Sequence, residues 1–143
     1  MCVFCKIINN EIPSRKIYED NFTVAFLDIN PVNQGHALIA PKKHVEDILS
    51  AGNEDLSHLI IASKIVAKAV MKALDYPAFN IEVNNGAVAG QMVNHLHFHV
   101  VPRKEDDGLK HWPGKQYGEG EMDDAADKIK AVLKTEGAIN GVS

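Results

Sequence analysis

Only two cysteines occur in the 143 residues, Cys2 and Cys5, and both stand at the start of the chain. That number and placement exclude the disulfide framework of a small secreted domain. Long apolar runs are also missing, since none approaches the roughly 20 residues that span a bilayer. The opening residues soon reach Lys6 and carry no signal-peptide core. Basic charge is not in excess, with 15 Lys and Arg against 19 Asp and Glu and a formal charge of −4. A general nucleic-acid binder would be expected to carry a basic face. Repeats, linkers and low-complexity tracts are absent. These absences lead us to expect a cytoplasmic chain with neither a membrane nor a nucleic acid as partner. The length suits a single domain spanning 1–143 that buries a real core, and 45% apolar with 24% charged residues is ordinary for a globular protein.

The positive signal is the stretch at 94–101, Asn-His-Leu-His-Phe-His-Val-Val. Alternation of polar and apolar residues with period two predicts a half-buried β-strand. His95, His97 and His99 then share one face, while Leu96, Phe98 and Val100 face the core. Three imidazoles on one face can donate, accept and carry charge near neutral pH. Packing alone gives little reason to crowd them there. Metal binding or attack on a phosphate is the chemistry they suit.

Other elements follow from periodicity. Residues 3–8 fit a short helix, which Pro13 ends by disfavouring helix at Ile12. Strands are expected at 16–19 and 23–28 around Asp20-Asn21, and at 36–40, closed by Pro41. One long helix starts with Asn53 as N-cap and with Glu54 and Asp55 at the positive end of its dipole. Leu56, Leu59, Ile60, Val66, Val70, Met71 and Leu74 form its apolar stripe. Tyr76-Pro77 breaks it, a fourth strand covers 79–84, and the small-residue loop 85–91 leads into the histidine strand. An amphipathic helix is expected near 123–135. The order predicts an α+β domain with an antiparallel sheet of about five strands, one long helix and a shorter C-terminal helix. The motif-bearing core is placed at about 2–111 and a helical tail at about 112–143. His36 reads as an ordinary strand residue and His58 as a solvated position on the long helix.

The residues 95–101 match the histidine-triad motif, and the chain resembles the HIT superfamily, in particular small bacterial Hit proteins related to the Hint and Fhit branches. The resemblance extends through Phe26-Leu27-Asp28-Ile29-Asn30-Pro31, Gly35-His36, Pro41-Lys42-Lys43-His44, and Asn84 to Gln91. It implies a nucleotide hydrolase or transferase that attacks the α-phosphate of a nucleoside 5′-phosphate conjugate, a purine and by preference adenosine. The conjugate would be a phosphoramidate, an adenylated side chain or a dinucleoside polyphosphate. The resemblance makes His97 the nucleophile, since a neutral imidazole attacks phosphorus and a covalent intermediate splits one hard step into two. Its other ring nitrogen should be held by a backbone carbonyl, fixing the tautomer. His99 would contact the phosphate oxygens and act as general acid. Gln91 would orient phosphate or water. Asp28 would accept from the ribose hydroxyls, Phe26 and Ile29 would line the base pocket, and Asn84 would join the nucleotide contacts.

Third-position His99 favours the hydrolase branches over the uridylyltransferase relatives, which carry glutamine there. Met92 departs from the serine or threonine of Hint and Fhit proteins, and a methionine cannot donate that hydrogen bond. Cys2-x-x-Cys5 with His44 and His95 would make a closed tetrahedral site for structural zinc, as the resemblance to bacterial Hit proteins implies. The competing reading places His44 and His95 in the active-site hydrogen-bond network without metal. His111-Trp112-Pro113-Gly114 resembles a Hint segment in which a tryptophan comes from the partner subunit, though packing explains an exposed Trp equally well. The apolar long helix and the strand at 79–84 predict a homodimer. Two functions remain open: the hydrolase, or a zinc-bearing nucleotide-binding dimer that senses or scaffolds with weak hydrolysis.

Overall fold

A computed structural model describes residues 2–137. The chain divides into two compact units, 1–108 and 109–143. The first contains, in order, α1 (Val3–Ile8), β1 (Lys16–Glu19), β2 (Thr23–Leu27), β3 (Ala37–Pro41), α2 (Asn53–Leu74), β4 (Ala78–Val83), a 3₁₀ turn at Ala87–Ala89, and β5 (Phe98–Arg103). The strands form one sheet in the order β1-β2-β3-β5-β4, and every neighbouring pair is antiparallel. The expected α+β architecture with five strands is the one observed.

The sheet has two covered faces, and the alternation of its residues explains both. Ala25, Ile39, Phe98 and Val100 point to one side and pack with Leu96 against Leu59, Ala62, Val66 and Val70 of α2. Val24, Phe26, Leu38 and Ala40 point to the other side and pack against Phe4 and Ile7 of α1. β3 is buried along its whole length, because it lies between β2 and β5 and is covered twice. β4 is an edge strand, with Phe79 and Ile81 exposed.

Three local expectations need correction. The N-cap of α2 is Gly52, and Asn53 is the first helical residue, with no side-chain cap bond. The acids Glu54 and Asp55 do sit in the first turn, as their charge at the positive dipole end requires. The last ladder strand starts at Phe98, so His95 and His97 lie in the segment that enters it. That segment is tied down differently, by the Leu96 N–H donating to the Val45 carbonyl at 2.8 Å. The face assignment survives, since Leu96, Phe98 and Val100 all join the α2 core. β4 begins one residue earlier than expected, at Ala78.

Gly35 is required by its surroundings. Its φ is +93°, and a Cβ there would meet the Leu74 side chain at 2.6 Å. The turn therefore brings the backbone of Gly35 close against Leu74 and Val70 of α2.

The second unit holds α3 (Glu121–Thr135), which starts two residues before the expected position. Glu121, Asp123 and Asp124 occupy its first turn, and Lys128 pairs with Asp124 at 2.8 Å. Met122, Ile129 and Val132 are exposed along it, as is Trp112 in the segment before it. Among the described residues no helix is long and apolar enough to cross a membrane.

Leu59 is fully buried at the centre of the α2 contact. Leu59→Ala should cost about 2–5 kcal/mol through lost burial and the cavity left behind. Chemical denaturation measures it, and a loss well under 1 kcal/mol would mean α2 closes over the gap.

Candidate active site and metal cluster

The face of the sheet away from α2 carries the histidines. His95 is fully buried, His97 nearly so, and His99 is half-buried on β5. Beside them is a cavity of about 470 Å³ lined by His97, His99, Phe26, Asp28, Ile29 and Met92, together with Val3, Phe4 and Ile7 of α1. Among the described residues lining it, none is a lysine or arginine, and Asp28 is its one carboxylate.

Hydrogen bonds assign a role to each ring nitrogen. His97 Nδ1 lies 2.7 Å from the His95 carbonyl, which can only accept. Nδ1 therefore carries the hydrogen, and Nε2 keeps its lone pair on a ring that lines the cavity. The Val32 N–H reaches His36 Nδ1 at 3.3 Å, which makes that nitrogen an acceptor. His36 Nε2–H then donates to His99 Nδ1 at 2.9 Å. The hydrogen of His99 is left on Nε2, which is buried and has no partner among the described residues. A buried donor left unpaired is costly, and an oxygen of a ligand in the cavity would satisfy it.

His36 is thus not an ordinary strand residue. It precedes β3, is buried, and sits with Asp28 Oδ2 3.7 Å from its Nε2. Its link to His99 spans 63 positions of sequence. The only sequence signal was its place beside Gly35. His58 also differs from expectation, since its ring stacks on Phe22 with centroids 3.8 Å apart.

Two expected nucleotide contacts are not brought to the cavity. Gln91 is buried, but its Oε1 accepts from the Gly86 N–H at 2.8 Å, and its Nε2 donates to the carbonyls of Glu46 and Val93 at 2.6 and 3.1 Å. Both amide hydrogens are thereby spent on closing the loop rather than on a phosphate. Asn84 does not line the cavity either and lies against Gly90 of the same loop. Asp28 does line it, at the end of β2, with Oδ1 held by the Asn30 N–H at 2.8 Å. Phe26 and Ile29 are both at the wall, Phe26 buried and Ile29 at the open rim. Met92 is 91% exposed there.

A second cluster lies on the other side of His95. Cys2, Cys5, His44 and His95 present ligand atoms that all fall within 4.8 Å of one another. His95 Nε2–H donates to the Pro41 carbonyl at 2.8 Å, so Nδ1 has the lone pair. That Nδ1 is 3.5 Å from Cys2 Sγ, 3.6 Å from Cys5 Sγ and 3.1 Å from His44 Nδ1, and Cys5 Sγ is 3.4 Å from His44 Nδ1. In tetrahedral zinc with Zn–S of about 2.3 Å and Zn–N of about 2.0–2.1 Å, ligand atoms are separated by about 3.3–3.8 Å. The donor set and its spacing fit such an ion. Burial first, then a hydrogen bond to Cys2 and its charge, push the Cys5 thiol up, a crowding that a cation would relieve.

Residues 9–106 match the HIT domain. The chain belongs to the HIT family. A curated relative from Methanocaldococcus jannaschii, named an uncharacterized HIT-like protein, is 52% identical over 76% of this chain and 83% of its own. The adenosine 5′-monophosphoramidase of Saccharomyces cerevisiae is 39% identical over 80% of this chain and 72% of its own. The crystal structure of a zinc-bound histidine triad family protein from Mycobacterium smegmatis superposes with a TM-score of 0.73 at 31% identity, covering 96% of each chain. In this HIT chain the five-stranded antiparallel sheet and the triad segment are those of the family fold.

Burial holds the site's imidazoles below their ordinary value. This applies to His36, His95 and His97, and His99 falls from 6.5 to about 4 because burial is joined by the charges of His97 and His36. All four are neutral at pH 7. For His99 the folded value lies below the unfolded one, so the unfolded chain takes up a proton first as pH drops. Its contribution to stability is complete above pH 6.5 and is lost between there and about pH 4. The His99 ring resonances should therefore stay unchanged through pH 6.5 and titrate only toward 4. An NMR titration near the ordinary imidazole value would show the ring to be solvated.

Proposed function

We propose that this protein cleaves nucleoside 5′-phosphate conjugates at the α-phosphate, adenosine by preference, through a covalent nucleotidyl-His97. The observation that carries this reading is the tautomer of His97, whose Nδ1–H is held by the His95 carbonyl so that Nε2 meets the cavity as a neutral nucleophile. The yeast relative named as a phosphoramidase supports the same class of reaction.

His97 Nε2 attacks phosphorus, the bond to the leaving group breaks, and the leaving group takes the proton of His99 Nε2. The anionic phosphate beside His99 favours the protonated ring, offsetting the burial that keeps it neutral in the free protein. Water then attacks phosphorus, gives a proton back to His99, and the P–Nε2 bond breaks to release the nucleoside monophosphate. In the free protein the His36 Nε2–H donated to His99 Nδ1 keeps the hydrogen of the neutral ring on the cavity side. When substrate binding adds a proton at His99 Nδ1, His36 carries its own hydrogen on Nδ1 and accepts through Nε2, so that His99 gives up its Nε2 proton and returns to a neutral ring. Asp28 is placed to accept from the ribose hydroxyls. Gln91 serves the site by fixing the 86–91 loop. With no lysine or arginine among the described residues of the lining and Met92 exposed at the rim, the cavity suits an amine or acyl leaving group better than a polyphosphate chain.

Zinc held by Cys2, Cys5, His44 and His95 completes the reading, as a structural ion that ties the N-terminal arm to the sheet. The zinc-bound mycobacterial neighbour supports it. A homodimer is also proposed, from the outward Ile60, Ile61 and Ile65 of α2 and the exposed Phe79 and Ile81 on the edge strand β4. An uncovered edge beside an apolar helix face invites pairing with its own copy.

His97→Ala should abolish turnover of an adenosine phosphoramidate while the variant still binds AMP with near wild-type affinity. His99→Ala should lower the rate by ~10²–10⁴-fold, most for the poorest leaving groups. Equal rates for wild type and His97→Ala would remove the nucleophile and favour a sensor or scaffold. Elemental analysis should find about one zinc per chain, as four protein ligands closing one tetrahedral site require, and protein purified without chelator that contains none would return His44 and His95 to the hydrogen-bond network.

A further inference from the structure

The metal cluster and the nucleotide cavity are built from the same two pieces of chain. The first piece is α1. Cys2 is its N-cap and Cys5 lies within it, while Val3, Phe4 and Ile7 of the same helix line the cavity. The helix has six residues, no side-chain cap and no acid in its first turn. A helix so short does not hold itself together in water, so its position depends on what grips it. Phe4 and Ile7 pack on Phe26 and Leu38, Lys16 Nζ donates to the Ile8 carbonyl at 3.4 Å, and the thiols hold its N-terminal end.

The second piece is His95. Its ring points Nδ1 at Cys2, Cys5 and His44, and its backbone carbonyl accepts the Nδ1–H of His97. The Phe4 ring lies against both imidazoles, with its centroid 4.9 Å from His97 and 5.9 Å from His95, and it meets Phe26 edge-on at 5.2 Å. Whatever seats Cys2 and Cys5 therefore also seats the aromatic wall beside the nucleophile.

We infer that zinc and nucleotide bind this chain cooperatively, with Phe4 as the positioning residue that joins the two sites. The inference rests on both the zinc and the nucleotide readings above. With the metal in place, α1 closes one wall of the cavity and AMP meets a preformed pocket. With the metal removed, α1 keeps only its apolar packing and the Lys16 Nζ–Ile8 carbonyl bond, and AMP binding must supply the rest of the ordering. Coupling of this kind is reciprocal, so bound AMP raises the affinity for zinc by the same factor.

The test is isothermal titration of AMP into zinc-loaded, chelator-stripped and zinc-reloaded full-length protein, with circular dichroism on each. The Kd for AMP should rise by about 5–150-fold on stripping, the usual range for coupled sites, and should recover on reloading. A chelator competition with and without AMP should return the same factor for zinc. Phe4→Leu keeps all four metal ligands, so it should retain its zinc and shrink the coupling in both measurements. Should the stripped protein unfold, the chelator competition on wild type and Phe4→Leu decides alone. Equal AMP affinity in loaded and stripped folded protein, or the same coupling in Phe4→Leu as in wild type, overturns the inference. A chain that binds no zinc overturns it together with the metal reading, and one that never binds AMP overturns it together with the nucleotide reading. Binding of both ligands with a factor of one overturns it alone.

Discussion

The 2.7 Å hydrogen bond from His97 Nδ1 to the carbonyl of His95 decides how the site is organised. It makes a residue's backbone serve one site while its ring serves another. Because the carbonyl can only accept, the tautomer of His97 is set by the main chain and needs no extra side chain. The ring of His95 is fixed in turn by the Pro41 carbonyl on Nε2, so its free nitrogen faces the cysteines and not the cavity. Alternation along 95–99 then puts His97 and His99 side by side, with ring centroids 4.9 Å apart. A one-residue slip of this segment would exchange its faces and bury the histidines against α2. The Val45–Leu96 backbone bond and the apolar Leu96, Phe98 and Val100 oppose that slip.

Neutrality is the electrostatic consequence of where these rings lie. Four imidazoles within one small region could not all be charged without strong mutual repulsion, and burial already disfavours the charged form of each. Asp28 acts the other way on His36, His97 and His99, but it is outweighed by desolvation. An anionic group placed beside these rings would favour their protonation and so supply the charge that the protein withholds.

Much of this was legible in the sequence for a physical reason: periodicity is local. The α2 stripe at Leu59, Val66 and Val70, the alternation at 95–101, and the strands at 16–19 and 36–40 each follow from residues within a few positions of one another. The resemblance of the motifs added the pairing of Cys2 and Cys5 with His44 and His95, which the fold brings within one ligand shell. What stayed hidden depends on contacts across the chain. His36 looked idle because its partner lies 63 residues away. Gln91 looked catalytic because a free amide near a histidine strand can orient phosphate, and only the fold shows its hydrogens committed to Glu46 and Val93. The N-cap of α2 shifted by one because Gly52 enters the helix with extended backbone and no side-chain oxygen is used.

The two faces of the sheet divide the work. On the α2 side the contacts are apolar and continuous, and they fix β3 and β5 relative to each other. On the α1 side the core is smaller and is completed by polar groups: a short helix, two thiols and a row of imidazoles. A face with so little apolar area cannot rely on burial alone to hold its covering element, since stabilisation scales with the area removed from water. Hydrogen bonds and a four-donor cluster take up that function here. The same polar groups that compensate for the thin packing line the cavity and form the four-donor cluster, so the less apolar face of this sheet is the one that carries its imidazoles and thiols.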